Sequence, residues 1–142
     1  MSRADDIPAE HLSWFERLPL AISDEKRFYA HAGIMPGVPL QQQEKNVLLW
    51  VRGKFLSDQR DHGRYIVHGH TPTENAMPEV CHNRLNLDTL AWYGNPLFAA
   101  VFDDERVGPI SFIADDGSIV PAPAINELER ERYAPRTRAR GR

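Results

Sequence analysis

The chain has 142 residues, of which 42% are hydrophobic, and a formal net charge of −3. These values are typical of one globular domain with its own core and exclude disorder throughout. No apolar run approaches the roughly 20 residues that a membrane helix needs and no leader pattern is present, so we expect a cytoplasmic protein with no membrane partner. The single cysteine, Cys81, cannot form an internal disulfide or a thiolate cage, so any metal must use His, Asp or Asn.

The first predicted elements are a short helix, a strand and a second helix. Apolar residues recur at helical spacing between the prolines of residues 8–19, which predicts an amphipathic helix. The aromatic run at 28–30 predicts a strand that ends at His31 and breaks into a loop rich in proline and glycine. Residues 44–56 carry apolar side chains at helical spacing and are predicted to form one continuous helix.

The second half of the chain is predicted to be rich in strands. Residues 65–67 are a compact apolar run that predicts a strand, and the His-Gly-His sequence of residues 68–70 follows it and leads into a turn. Alternating apolar residues predict a half-buried strand at 84–88, and two more strands are predicted at 97–102 and 109–114. We expect the last three strands to form a meander.

Charge is unevenly spread along the chain. Residues 1–126 hold 11 basic and 17 acidic side chains, whereas residues 127–142 hold 6 and 3. The terminal arginines alternate with small or polar residues, a composition that cannot bury enough apolar surface to fold. We therefore expect a folded domain over residues 1–120 and a basic, disordered tail over 121–142. No aromatic residue is interleaved with these arginines, which disfavours a nucleic-acid partner.

Two histidines stand where predicted strands end in glycine-containing turns. His31 precedes Ala32-Gly33, and His70 follows Gly69. The strand holds the backbone rigid while the turn leaves the imidazole facing a cleft, so both are candidate metal ligands. One such histidine is more often a hydrogen-bonded structural residue, and two imidazoles alone do not complete a zinc or manganese site. The remaining histidines are expected to be solvent-exposed: His11, His62 and His82.

Three further residues could contribute to such a site. His68 and His70 would point to the same side of an extended strand. One interpretation is therefore a His-x-His chelate, which His31 would complete as a mononuclear metal module. The other is that His68 lies in an outer position and does not bind the metal. Arg52 lies at the exposed edge of the predicted second helix, where it could bind phosphate or be solvated. Asp88 could be a ligand, an orienting partner of a metal-bound histidine or a turn former, and we favour the last two.

Four motifs occur in a fixed order along the chain. They are Tyr29-Ala30-His31-Ala32-Gly33-Ile34-Met35-Pro36-Gly37-Val38-Pro39-Leu40, Leu48-Leu49-Trp50-Val51-Arg52, Val67-His68-Gly69-His70-Thr71-Pro72 and Asn83-Arg84-Leu85-Asn86-Leu87-Asp88-Thr89. Together they resemble the carboxyl-terminal half of bacterial PPP-type phosphatases of the calcineurin-like metallophosphoesterase family, which includes serine/threonine protein phosphatases and symmetrical diadenosine tetraphosphatases. The resemblance covers residues 7–114 and implies an α/β (α+β) fold, a partial calcineurin-like phosphoesterase β-sandwich flanked by helices.

By this resemblance His31 and His70 would bind the second metal of a dinuclear centre, and Arg52 would hold a phosphate oxygen. His68 and Asp88 would lie in outer positions around the metal. The expected divalent metal is manganese, with iron or zinc as alternatives. The implied reaction is in-line attack on phosphorus by a water that two cations acidify. Its implied substrates are a phosphorylated protein, a dinucleoside polyphosphate or a small phosphate ester.

The sequence departs from the family in what it lacks. Gly-Asp-x-His-Gly, Gly-Asp-x-x-Asp-Arg-Gly and Gly-Asn-His-Glu, which the family's amino-terminal half supplies, do not occur in it. We therefore expect that half to be absent and the chain alone to be inactive, with a complementary amino-terminal half or a second copy as partner. The alternative function is a non-catalytic fragment that acts as a protein-interaction or regulatory module. Leu90 also departs, since family members commonly have Gly after Asp-Thr.

Overall fold

The computed structural model describes residues 7–125, which form a mixed α/β fold with two sheets and a few short helices. The helices are α1 (Ala9–Glu16), α2 (Lys45–Trp50) and α3 (Gly53–Leu56), and 3₁₀ turns occur at Leu40–Gln42 and Ala91–Tyr93. The strands are β1 (Ala21–Ser23), β2 (Arg27–Ala30), β3 (Tyr65–His68), β4 (Glu79–Val80), β5 (Arg84–Asn86), β6 (Phe98–Val101), β7 (Ser111–Ala114) and β8 (Ile119–Pro121). Within residues 7–125, no helix has the length and apolarity that a bilayer crossing requires.

The larger sheet has five strands in the order β1-β2-β3-β5-β4. Its three central strands are parallel, with Phe28 of β2 opposite Ile66 of β3 and Val67 of β3 opposite Leu85 of β5. The outer strands β1 and β4 run antiparallel to their neighbours. Because the central strands are parallel, the residues that follow them emerge at one edge of the sheet.

The smaller sheet is an antiparallel meander of β6, β7 and β8. The predicted meander is therefore wrong in its membership, since β5, at residues 84–86, belongs to the larger sheet. The physical reason lies in its burial: all three residues of β5 are buried, which suits a strand enclosed on both faces rather than the half-exposed strand that the alternation predicted.

The larger sheet lies between two hydrophobic clusters. On one face Tyr65 and Val67 pack with Leu85 and with residues of the smaller sheet, including Phe98 and Phe112. On the other face the buried residues come from the sheet and from the helical segment: Phe28, Ile34, Leu48, Phe55 and Ile66. Successive residues of β3 thus contribute to opposite faces, which explains why the run at 65–67 is apolar without alternation.

The predicted continuous helix over residues 44–56 is wrong, because the structure breaks it into α2 and α3. Val51 has an extended backbone with ψ 143°, and Arg52 has φ −134° and ψ −116°, outside the helical region. Gly53 follows at once, and glycine is about 1 kcal/mol less favourable than alanine inside a helix, so this segment has little to gain from remaining helical. The break turns the chain at Arg52.

The described fold extends beyond the predicted boundary at residue 120. Pro121 belongs to β8, Ala122 donates a backbone hydrogen bond to the Ile110 carbonyl, and Ile125 packs against the cluster around Tyr65. The rest of the predicted tail, residues 126–142, lies outside the described residues.

Candidate metal and phosphate site

The parallel strands bring two of the predicted ligands together. His31 follows β2, and Gly69 and His70 follow the neighbouring strand β3. The Gly69 N–H donates a hydrogen bond of 2.8 Å to the His31 carbonyl, which continues the strand pairing into the turns. The imidazoles meet with Nε2 of His31 at 3.2 Å from Nδ1 of His70.

His70 owes its position to an unusual backbone conformation and to a neighbouring ring. Its φ of 68° lies in the left-handed region, which costs a non-glycine residue free energy and ends the side-chain alternation of β3. The Trp50 ring, at the end of α2, lies perpendicular to the imidazole with the two centroids 5.4 Å apart. Burial lowers the pKa of His70, and the charge of Arg52 lowers it further. The ring is therefore neutral at pH 7, as a metal ligand must be.

The spacing of the two nitrogens fits a shared cation. Two nitrogens that ligate one ion at about 2.1 Å each, at angles between about 90° and 109°, lie about 3.0–3.4 Å apart. The 3.2 Å between His31 and His70 falls in this interval. The same distance is also that of a hydrogen bond between the two rings. Nε2 of His70, the ring nitrogen that does not face His31, is buried and has no hydrogen-bond partner within residues 7–125.

The ligand set is nevertheless incomplete. Across residues 7–125 no group of three or more His, Cys, Asp or Glu side chains is arranged to hold a metal. Zinc sites take four ligands, and catalytic ones include three from protein. As a metal site, the histidine pair would supply two ligands, and the others would have to come from outside residues 7–125.

Arg52 lies beside the pair, although not in the predicted setting. The sequence placed it on a helix edge, whereas it occupies the break between α2 and α3. Its exposed guanidinium donates one hydrogen bond of 3.3 Å from Nη1 to Oγ1 of Thr71, the residue after His70. Since this bond uses one donor of five, the others remain available to an anion at the histidine pair.

His68 does not join the pair, so the predicted His-x-His chelate and the module of three histidines do not form. Its ring is buried and lies edge-on to Phe55, with the centroids 4.9 Å apart, on the helix-facing side of the sheet. Its Nδ1–H donates to the Gly69 carbonyl at 3.1 Å. Burial lowers the pKa of His68 to about 4, so it is neutral at pH 7. The left-handed backbone of His70 is what separates the two rings.

Asp88 forms a turn at the carboxyl end of β5. Its Oδ1 accepts a hydrogen bond of 2.9 Å from the Leu90 N–H, and its carbonyl accepts one from the Thr73 N–H. Its negative charge also acts on His70, whose pKa it raises against the larger lowering effects. Asp88 thus lies close enough to influence that imidazole while its side chain bonds the turn.

Sequence reasoning missed two residues that hold this end of the sheet together. Buried Asn86 donates from Nδ2 to the Thr71 carbonyl, and its Oδ1 accepts from the Asp88 N–H. Phe55 packs so closely against Gly33 that a Cβ there would lie 2.3 Å from its ring. The available signals were an amide inside an apolar strand and a glycine directly after the His-Ala pair.

The other histidines correct a prediction of exposure. His11 is exposed, but His62 is partly buried and His82 is buried with its Nε2 at 2.7 Å from the Gln59 carbonyl. Asn83 explains this burial, because its side chain donates to the carbonyls of Asp58 and Arg60 and pins the loop that covers His82.

An open cleft of about 420 Å³ adjoins the histidine pair. His31 and His70 line one part of it, and Thr89, Ala91 and Leu97 line another. Comparison of the chain with models of protein families, with curated proteins and with solved structures finds no match. The chemistry of the cleft therefore has to be argued from the two imidazoles that line it and from the Arg52 guanidinium, which lies outside the lining and is bonded to Thr71.

Proposed function

We propose that this cleft is the second-metal and phosphate-binding part of a metal-dependent phosphoesterase. The observation that carries the proposal is the 3.2 Å approach of Nε2 of His31 to Nδ1 of His70 at the carboxyl ends of two parallel strands. Arg52 adds a cationic group held next to the pair through Thr71. The order of motifs that resembles PPP-type phosphatases supports the same assignment.

Each side chain has a defined part in this proposal. The imidazoles of His31 and His70 would hold one divalent ion, with manganese expected and iron or zinc as alternatives. Such an ion supplies Lewis-acid polarisation of a phosphoryl group and acidifies a water. Arg52 would bind a phosphate oxygen through two parallel N–H groups and stabilise negative charge as it develops. The substrate would be a phosphorylated protein, a dinucleoside polyphosphate or a small phosphate ester.

The incomplete ligand set defines what a working site would need. His31 and His70 supply two ligands, whereas a dinuclear centre needs several more, including carboxylate oxygens. We infer that a complementary polypeptide or a second copy of the chain provides them. The isolated chain would then bind metal and phosphate more readily than it turns over an ester.

Metal titration of four proteins tests this proposal. Calorimetric titration with Mn²⁺ and Zn²⁺ should detect binding to the wild type, and His31→Ala and His70→Ala should each weaken it at least about tenfold, as even loss of an outer partner does. His11→Ala is the matched control, since His11 is an exposed histidine on α1. Equal metal affinity in wild type and His70→Ala would refute the metal assignment.

A substitution at Arg52 tests the assignment of this residue to phosphate binding. Arg52→Met should leave metal affinity unchanged but weaken inorganic phosphate binding to the metal-loaded protein by at least about tenfold, because charge-assisted hydrogen bonds are lost. Hydrolysis of para-nitrophenyl phosphate with added Mn²⁺ completes the set. Activity that disappears in His70→Ala would show that the chain assembles a working centre, whereas binding without turnover would show that it supplies only part of one.

A second candidate function, a protein-interaction module, is favoured by helix α1. No residue of this helix is buried, and Phe15 is 60% exposed. The next element, β1, is an edge strand on which Ile22 is 62% exposed. Edge strands with exposed apolar residues readily pair with another chain. In this reading two copies associate through α1 and β1, and neither needs to bind phosphate.

Light scattering after size-exclusion chromatography tests the interaction module. Self-association predicts a mass of twice the 16.2 kDa of one chain, and Phe15→Glu should shift it towards the monomer. Glu16→Gln, a change on the same exposed helix, should leave the mass unchanged. A monomer at every concentration would contradict this second function without bearing on the metal site.

A further inference from the structure

Three exposed aromatic residues stand out around the cleft. Trp50 is 65% exposed and lies against His70. Trp92 and Tyr93 are 82% and 75% exposed, and they directly follow Ala91, which lines the cleft. Each such side chain has about 150–250 Å² of surface that a ligand could cover. These rings therefore invite a functional explanation.

The loop that carries Trp92 and Tyr93 is firmly held at its base. The buried Thr89 donates from Oγ1 to the Pro96 carbonyl at 2.6 Å, and Asn95 donates from Nδ2 to the Thr89 carbonyl at 2.7 Å. These two bonds close the loop on itself. The rings thus stand in water on a scaffold with a fixed backbone, which lowers the entropy lost when a ligand binds to them.

The same loop contains one strained residue, Leu90, because glycine adopts a positive φ at little cost. Leu90, with φ 59°, and Gly94, with φ 100°, flank the 3₁₀ turn that presents the two rings. A left-handed leucine costs about 1–2 kcal/mol. The two rings also contact each other edge to face, with centroids 5.2 Å apart, which fixes their relative orientation. A strained turn that displays an ordered aromatic pair is typical of a binding element.

We propose that Trp92 is a stacking platform for a planar aromatic ring carried by a phosphate ester whose phosphate binds at Arg52. The proposal rests on the proposed function of the histidine pair and deepens it by naming a substrate class, aromatic phosphate esters. Charge complementarity supports it: a dianionic phosphate suits Arg52 and a cation at His31 and His70, whereas the loop around Trp92 offers a ring surface. Tyr93 supports the indole from its edge.

Two sources of such a ring share this chemistry, a nucleobase and an aryl group. Stacking on an aromatic side chain contributes similarly to either, because each has a π-face. Within residues 7–125, neither the Trp92 nor the Tyr93 side chain makes a hydrogen bond that anchors it to the core. Substitution at Trp92 should therefore change ligand binding without removing the fold.

Binding of non-hydrolysable phosphonates to the Zn²⁺-loaded protein tests the platform. Phenylphosphonate should bind about tenfold more tightly than butylphosphonate, which carries a similar charge but no ring. In Trp92→Ala this preference should disappear while butylphosphonate affinity stays the same. Trp92→Phe, which keeps a ring, should restore most of the preference, and Trp14→Ala, a change to an exposed tryptophan on α1, should not affect it.

Each other result has a defined meaning. Equal affinity for the two phosphonates in a wild type whose phosphonate binding depends on Arg52 would overturn the platform and leave the proposed function standing. A ring preference that survives Trp92→Ala would also overturn it. No phosphonate binding at all would overturn both. Once the ring preference and its dependence on Trp92 are shown, adenosine 5′-monophosphate distinguishes the sources: tighter binding than phenylphosphonate indicates a nucleobase, and weaker binding indicates an aryl group.

Discussion

The two ends of strand β2 differ in how the polar side chains next to them are satisfied. At the amino end, Arg27 begins β2 and is buried. At the carboxyl end, His31 and His70 follow β2 and β3 with an unsatisfied nitrogen beside an exposed guanidinium. The two ends of β2 thus carry one polar cluster whose hydrogen bonds are made within the fold and one that has unpaired hydrogen-bonding groups.

The amino end is a closed network. Arg27 donates from Nη2 to the carbonyls of Asp103 and Arg106 and from Nε to that of Val107, so it clamps the β6–β7 loop onto the larger sheet. Nη1 pairs with Asp24 at 3.4 Å. Because four of the five guanidinium N–H groups have partners within the fold and the side chain is buried, the role of Arg27 is structural.

The carboxyl end combines open hydrogen-bonding groups with backbone strain. Nε2 of His68, Nε2 of His70 and Oγ1 of Thr73 are buried without partners within residues 7–125, and so is Nη1 of Arg64, directly before the amino end of β3. The left-handed non-glycine residues of the same range also follow the carboxyl ends of strands or lie in the loops there: His70, Ala76 and Leu90. Strained residues cluster at functional sites in many proteins, so the contrast between the ends supports the proposal that Arg27 is structural and Arg52 binds an anion.

The largest expected effect is a loss of stability when Arg27, at the amino end of β2, is replaced. Arg27→Met would leave three carbonyl oxygens and Asp24 without their cationic partner, and breaking a buried charged network costs about 3–5 kcal/mol. Urea denaturation should show that loss. Arg17→Met is the control, because Arg17 donates only to Ser13 on the surface, and its midpoint should not move. Similar midpoints for the two variants would remove the distinction between the ends.

A smaller effect should come from relieving strain at the carboxyl end. Leu90 adopts φ 59° and ψ 40°, a conformation that glycine reaches at little cost. Leu90→Gly and Leu90→Ala lose similar side-chain contacts, so the glycine variant should be more stable than the alanine variant by about 1 kcal/mol. Thermal unfolding compares them directly. If alanine proves the more stable, the left-handed turn is not a source of strain.

The smallest effect should appear in acid. Burial alone would raise the pKa of Asp24, but hydrogen bonds from the Lys26 N–H, the Tyr29 hydroxyl and Arg27 outweigh it and lower the pKa to about 2. The native carboxylate thus holds its charge where the unfolded one is protonated. Its stabilisation is complete above about pH 4 and is lost as the pH falls towards 2. Urea midpoints of Asp24→Asn should therefore fall less between pH 5 and pH 3 than those of the wild type, and parallel curves would argue against this linkage.

Much of the carboxyl end could be predicted because short-range signals specify it. An apolar run followed by glycine places His31 and His70 at strand ends, and parallel pairing then brings them together. What the sequence could not show was the left-handed backbone of His70, which turns the His70 ring away from the face on which His68 packs against Phe55. That conformation depends on tertiary contacts, as does the break at Arg52, where helical periodicity continues through a non-helical residue.

The amino end was not predicted at all. Arg27 has no signal in its surroundings, because its carbonyl partners lie about eighty residues along the chain in an irregular loop. The edge strands β1 and β4 were missed as well, since three and two residues carry too little pattern to be recognised. Membership of β5 in the larger sheet depended on pairing with β3, which local alternation does not encode.

The central claim is that the open end binds a metal through His31 and His70. Long-range ¹H–¹⁵N spectra of protein labelled at its six histidines, recorded during titration with Zn²⁺, test it most directly. The claim predicts that the ring nitrogens of His31 and His70 shift on binding while those of the other four histidines stay in place. Shifts at His11 or His62 in their stead, or no shift at any ring, would contradict it.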